Sequence, residues 1–305
     1  MFFRQLEYLV SLSRERHFMR AAHACAVSQP ALSEGLRKLE IELNVALIRR
    51  GNKFEGLTPE GEAAVVWARQ ILAGREGLIA EVGAVHGSIT GTLRLGCIPT
   101  AANALSLLTG PFCAAHPGAR VEVSSDLASS EVLRQVREHE IDGGLTYIQG
   151  PLPDDFRLVP LYRESYVLLS TNTGAVPPAS WRAAATLPLC LLSPKMQGRQ
   201  RIDALFAEAG VQPVPRLETD SVASLFAHVM TGSWATIVPA AWLHAFGVPP
   251  SLHATPLNDL EHSVPVGMVT LNQEPSPVLT RALEAVAAAA DLAFLSEPPQ
   301  HHPLL

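Results

Sequence analysis

Missing from this chain is any run of ~18 uncharged apolar residues of the kind that crosses a bilayer. The longest alanine-rich stretch, Ala282 to Leu295, is interrupted by Glu284 and Asp291. The first residues, Met1-Phe2-Phe3-Arg4-Gln5-Leu6-Glu7, put charges where a secretory signal needs its apolar core. Neither export nor membrane association is therefore expected, and a cytoplasmic location is. Cysteine is scarce: Cys25, Cys97, Cys113 and Cys190 form no C-x-x-C pair and no zinc-site spacing. The expectation is reduced thiols packed as small apolar side chains. His301 and His302 at the tail have no third ligand nearby, so no metal or cofactor site is expected. Catalytic motifs are missing too. There is no G-x-S-x-G, H-E-x-x-H, P-loop, or G-x-G-x-x-G after a strand, and an enzyme is not expected.

At ~150 residues per domain, 305 residues suggest two domains or so. The net charge of -6 speaks against a nucleic-acid binder, but its distribution does not. Residues 1 to 60 carry nine Lys/Arg against seven Asp/Glu, and the remainder fourteen against twenty-two. The first part is net +2 and the rest net -8, the sign expected if only the N-terminal part meets phosphate.

Phe3, Leu6, Leu9, Val10 and Leu12 recur at helical spacing and predict a first helix. Phe18, Ala21, Ala22 and Cys25 mark the inner face of a second, with small residues where another helix can cross. Ser28 then reads as an N-cap and Pro30 as a first-turn residue of a third helix running to about Leu43. Its core stripe is Leu32, Leu36, Leu39 and Leu43; the other face carries Gln29, Pro30, Ser33, Glu34 and Arg37. Gln pairs with adenine, Arg with guanine, and Ser donates to a base or phosphate, so this face suits a major groove. Periodicity alone fits a three-helix bundle with a solvated face equally well. The next segment tips the balance: short strands around Gly51-Asn52-Lys53 predict a hairpin wing, with Arg49, Arg50 and Lys53 near its tip.

These residues resemble a family. Arg20-Ala21-Ala22, Val27-Ser28-Gln29-Pro30-Ala31-Leu32-Ser33, Leu39-Glu40-x-Glu42-Leu43, Leu47-Ile48-x-Arg50 and Leu57-Thr58-Pro59-Glu60-Gly61 are similar, without gaps, to the DNA-binding domain of LysR-type transcriptional regulators. Asn44 and Ile48 depart from the glycine and phenylalanine usual there, without altering the DNA-facing surface. The resemblance implies a winged helix-turn-helix over residues 1 to 60, with Gln29, Pro30, Ser33, Arg37, Arg50 and Thr58 at the family's DNA-contact positions. Ser28, Arg49 and Lys53 complete the candidate surface. It also implies double-stranded promoter DNA, a small-molecule effector, RNA polymerase and further copies of the chain as partners.

Thr58-Pro59 predicts the start of a long helix reaching about His86, the linker of residues 61 to 87. Ala64, Trp67, Ile71, Leu78 and Val85 form a heptad-like seam for dimerisation, although packing on its own chain is the alternative. In the family this helix pairs antiparallel in a dimer, and four chains often form a tetramer.

From Gly91 onward, strand-like runs at 92–98, 120–124, 142–147, 166–170, 236–238 and 264–270 alternate with helical stretches at 101–116, 130–139, 199–209, 221–231 and 277–295. An α/β fold with mainly parallel sheets is expected over 88–297, in two subdomains, about 92–164 rejoined by 266–295, and about 165–265. Ligands of such sheets bind beyond strand ends, where helix starts favour a small anion. Pro99-Thr100, Ser129-Ser130 and Thr219-Asp220-Ser221 place hydroxyls just before helices, with Thr146 and the loop containing Met196 completing a cleft; plain helix capping accounts for each hydroxyl as well. This region resembles the family's periplasmic-binding-protein-like effector domain. Candidate effector contacts are Pro99, Thr100, Ala101, Ser129, Ser130, Thr146, Met196 and Ser221. Similarity to regulators found beside formate dehydrogenase genes points to a small carboxylate such as formate.

Overall fold

The computed structural model describes residues 1–50, 54–171, 180–258 and 263–299. Helices α1 (Phe3–Glu15), α2 (Phe18–Ala24) and α3 (Gln29–Leu43) close around Leu6, Leu9, Leu12, Ala21, Leu32, Leu36 and Leu39. Ser28 Oγ accepts the Ala31 amide at 3.3 Å to start α3, and Asn44, left-handed at φ 53°, ends it. Because the helix stops there, Leu43 is 43% exposed and not part of the expected leucine stripe. Strands β1 (Ile48–Arg50) and β2 (Phe54–Leu57) pair antiparallel, Ile48 opposite Leu57 and Arg50 opposite Phe54. The tip of this hairpin, with Lys53, lies outside the described residues.

Thr58 caps the long helix α4 (Pro59–Val85) through the Gly61 amide at 2.9 Å. A Cβ at residue 61 would stand 2.0 Å from the Leu47 carbonyl oxygen, so only glycine lets α4 begin against the wing. Val65 and Ala68 enter the N-terminal core. Trp67, Leu78 and Val85 lie 63%, 65% and 81% exposed, unusually open for such side chains.

Beyond α4 come β3 (Gly91–Cys97), a 3-10 turn (Pro99–Ala101), α5 (Ala102–Ala115), β4 (Ala119–Ser124), α6 (Ser129–Arg137), β5 (Gly143–Tyr147) and β6 (Phe156–Glu164). The chain crosses at Ser165 into β7 (Tyr166–Thr171), α7 (Trp181–Ala184), β8 (Cys190–Leu192), α8 (Gln197–Glu208), β9 (Leu217–Thr219), α9 (Val222–Met230), β10 (Thr236–Pro239), α10 (Ala240–Phe246) and β11 (Leu252–Pro256). It returns through β12 (Val264–Leu271) and α11 (Val278–Ala289) to a final 3-10 turn (Ala293–Ser296). The last predicted helix is thus two pieces, broken where Ala290 turns extended.

The sheets are mixed, not mainly parallel. The five-stranded sheet runs β4-β3-β5-β12-β6; β3 is parallel to β4 and β5, while β12 is antiparallel to β5 and β6. In the other lobe β7 is antiparallel to β10 and β11, and β8 is parallel to β9. The returning strand β12 enters the first sheet from the opposite direction, which no local pattern reveals. Strand β6 escapes prediction because Pro160 interrupts it. It survives as an edge strand, with a register shift between Val266 and Gly267 opposite that proline.

Candidate DNA interface and effector cleft

At the start of α3, Ser28, Gln29, Pro30 and Arg37 are exposed and Ser33 half-buried. Gln29 Nε2 donates to Ser33 Oγ at 2.9 Å, so an amide and a hydroxyl one turn apart orient each other on the open face. Arg37 forks onto Glu34, with contacts of 3.0 and 3.1 Å, which lowers the Glu34 carboxyl below its ordinary range. Arg49 is exposed on β1; the Arg50 side chain lies outside the described residues. Thr58 is half-buried and its hydroxyl is spent: it accepts from Gly61 and donates to the Ala46 carbonyl at 2.7 Å. That leaves it a capping residue first.

In the sensor, Thr100 is buried at the start of the 3-10 turn, flanked by half-buried Pro99 and buried Ala101. Its Oγ1 lies 3.0 Å from the Tyr147 hydroxyl, and its carbonyl accepts Trp242 Nε1 of α10 at 3.2 Å. Ser129 opens α6, and its amide donates to Gln197 Oε1, at the start of α8, at 3.1 Å. A Cβ on Gly198 would come within 3.3 Å of Thr100 Cγ2. Three helix starts therefore meet, two from the first lobe and one from the second. Aligned free amides at such ends favour negative charge.

Other expected contacts are placed differently. The cap of α6 is Ala128, so Ser129 and Ser130 lie inside the helix, and Ser130 is exposed. Ser221 caps α9 through the Ser224 amide and is exposed, without a hydrogen bond to Thr100 or Ser129. Thr146 is fully buried and its hydroxyl has no partner among the described residues; one residue from Tyr147 on β5, it points to the opposite sheet face. Half-buried Met196 is the N-cap of α8.

A buried network was not foreseen. Glu164 Oε1, at the crossing between lobes, accepts the hydroxyls of Tyr147 at 2.7 Å and Tyr166 at 2.5 Å. Burial pushes the Glu164 carboxyl up and all three neighbouring phenols, of Tyr147, Tyr162 and Tyr166, well up, which keeps the phenols protonated. Glu164 Oε2, the Tyr162 hydroxyl and Arg201 Nε have no hydrogen-bond partner among the described residues. Tyr147 stands 17 residues from Glu164, so no local pattern brings the two together.

The thiols divide. Cys97 and Cys190 are buried, and burial pushes them up to about 12 and about 11. Cys25, the C-cap of α2, is half-buried against the N-terminal core, whereas Cys113, contrary to expectation, is exposed on α5. Among the described residues there is no metal-ligand cluster and no helix long and apolar enough to cross a membrane.

Residues 3–62 match the model of bacterial regulatory helix-turn-helix proteins of the lysR family, and residues 86–291 match the LysR substrate binding domain. The SDS degradation transcriptional activation protein of a Pseudomonas species is 39% identical over 124 residues, 40% of either chain. The chain thus spans less than half the length of that relative. The DNA-binding transcriptional dual regulator OxyR of Escherichia coli is 31% identical over 255 residues, 78% of either chain. Among solved structures, full-length CbnR complexed with its target DNA superposes with a TM-score of 0.64 at 23% identity, covering 94% of this chain and 99% of that one.

Proposed function

Because the chain belongs to the LysR family of bacterial regulators, we propose that it binds promoter DNA through α3 and the β1–β2 wing and regulates transcription in response to a small metabolite. The observation that carries the reading is the Gln29–Ser33 pair on the open face at the start of α3, in the same N-terminal unit as the β1–β2 hairpin and its exposed Arg49. An amide oriented by a hydroxyl is suited to bidentate contact with adenine in a major groove. CbnR, whose fold is similar, was solved on its target DNA. The open face of α4, with Trp67, Leu78 and Val85 in solvent, supports self-association as a dimer or tetramer. At the promoter, RNA polymerase is the partner through which the bound regulator acts.

The effector sits where Thr100, Ser129 and Gln197 meet, and three helix starts favour a small anion there. No comparison supports formate as that metabolite. Hydrogen peroxide chemistry, for which some relatives are named, is not assigned to Cys97 or Cys190, whose thiols, held up by burial, are poor nucleophiles at neutral pH.

Selection of duplexes from a random pool, followed by thermal-shift screening of small carboxylates on the full chain, tests both halves. The expected result is one enriched sequence that Gln29→Ala binds more weakly, and a carboxylate that raises the melting midpoint by mass action. Thr100→Val lowers affinity for that carboxylate by ~1–3 kcal/mol. A pool with no enriched sequence overturns the DNA reading, and stabilisation unchanged in Thr100→Val moves the effector out of this cleft.

A further inference from the structure

Away from the cleft, two of the ion pairs that tie the linker helix α4 to the sensor lie toward its C-terminal half. Glu76 takes Arg94 of β3 at 3.0 Å, and Glu81 takes Arg281 of α11 at 3.0 Å. Along the facing side of α4 stand Ala73, Gly77 and Ala80, too small to fill the gap between these struts. A cavity of about 250 Å³ remains, walled on the sensor side by Ile141, Leu279 and Pro277. An engineered apolar cavity of about 150 Å³ is enough to take up benzene, so this one has room for a single ring with a short polar arm.

The polar groups facing the cavity define the arm. The Arg94 guanidinium is engaged by Glu76. Burial lowers the basicity of His139, so its ring presents no fixed positive charge. Asp142 uses only Oδ2, which accepts the Arg94 amide at 2.6 Å, and among the described residues its other oxygen has no partner. We propose that this cavity is a second ligand site, taking a small organic amine whose apolar body lies against α4 and whose ammonium pairs with Asp142. Burial raises the Asp142 carboxyl to about 6, a desolvation cost that an ammonium partner would relieve. A ligand here touches both the linker and the sensor, at the joint through which the proposed regulation must pass, and shares no residue with the Thr100 cleft.

Calorimetric titration of the full chain with benzylamine, benzyl alcohol and benzoate at mildly alkaline pH tests the site. Wild type binds one equivalent of benzylamine, and benzyl alcohol about tenfold or more weakly. Asp142→Asn, whose amide oxygen still accepts from Arg94, weakens benzylamine about tenfold and leaves benzyl alcohol unchanged. Ala73→Leu and Gly77→Leu each fill the space; the nearest recorded neighbour of a Cβ at 77 is Pro277 Cβ at 3.9 Å, so the second variant guards against misfolding of the first. Both lose benzylamine binding while keeping the wild-type circular dichroism and the affinity for the selected duplex. The proposal is overturned by absence of saturable benzylamine binding, by tighter binding of benzoate, or by unchanged affinity in both filled variants. Duplex affinity is read separately, so failure here is distinct from failure of the DNA reading.

Discussion

Arg69 of the linker helix lies 2.8 Å from Glu140 of the sensor, and the same guanidinium nitrogen lies 3.2 Å from Glu138. Both carboxylates follow the end of α6, whose first residue, Ser129, is tied across the cleft to Gln197. A nine-residue helix is ~13 Å long, and here it joins the proposed effector site at one end to the DNA-binding half at the other. Arg134 holds Glu131, Glu138 and Glu140, and its hydrogen bonds help bring Glu131 down to about 2, so the carboxylates stay paired without Arg69.

Arg69→Ala should therefore leave the sensor folded and able to bind effector, yet reduce by ~1 kcal/mol the change in duplex affinity that effector produces. Duplex titrations with and without effector measure this. Undiminished coupling in the variant would remove α6 from the path.

On the DNA face, Gln29→Ala is expected to cost ~1–3 kcal/mol against the selected duplex and little against random DNA. Ser33→Ala removes the hydroxyl that orients Gln29 and should cost less, ~1 kcal/mol. Arg49→Ala weakens every duplex and lowers the salt slope by ~1. Gel-shift titrations over a salt series separate these behaviours, and equal losses on all sequences for Gln29→Ala would make it a phosphate contact.

Trp67 and Ile71 lie one turn apart on the open side of α4. Trp67→Glu or Ile71→Glu places a charge in the proposed apolar seam and should shift the protein toward monomer. Sedimentation velocity reads the outcome, and an unchanged assembly in both variants would put the interface elsewhere.

Asp142 has a clear signature in stability against pH. Its carboxyl rises from 3.8 to about 6 on folding, so the unfolded chain gives up the proton first and stability falls as pH climbs through that interval. Asp142→Asn removes this loss. Thermal unfolding should show the variant gaining on wild type between about pH 4 and about pH 6, then holding a constant margin. Parallel curves across the range would mean that Asp142 is not desolvated.

The helix-turn-helix was legible because its determinants are local. Ser28 needs only the amide three residues on, Pro30 only a first turn, and Leu32, Leu36 and Leu39 only a common stripe. Thr58 shows the limit of reading one residue in one role. The capping hydroxyl that opens α4 is the same hydroxyl assigned to DNA, and the cap uses it. In the sensor, hydroxyls at helix starts were visible, but not which of them meet. Thr100 and Ser129 are drawn to α8, while Ser221 is not.

From the sequence alone came the order of the modules, the open polar side of α3 and the length of the linker helix, all set by residues within a few turns of one another. Only the tertiary structure decided the direction of β12, the pairing of Ser129 with Gln197 across 68 residues, the burial of Glu164 beneath two tyrosines, and the cavity under α4. Each of these depends on segments brought together by the crossing at Ser165 and the return at Val264, or by the docking of α4 on the sensor. Partners so distant leave no periodicity for local chemistry to record.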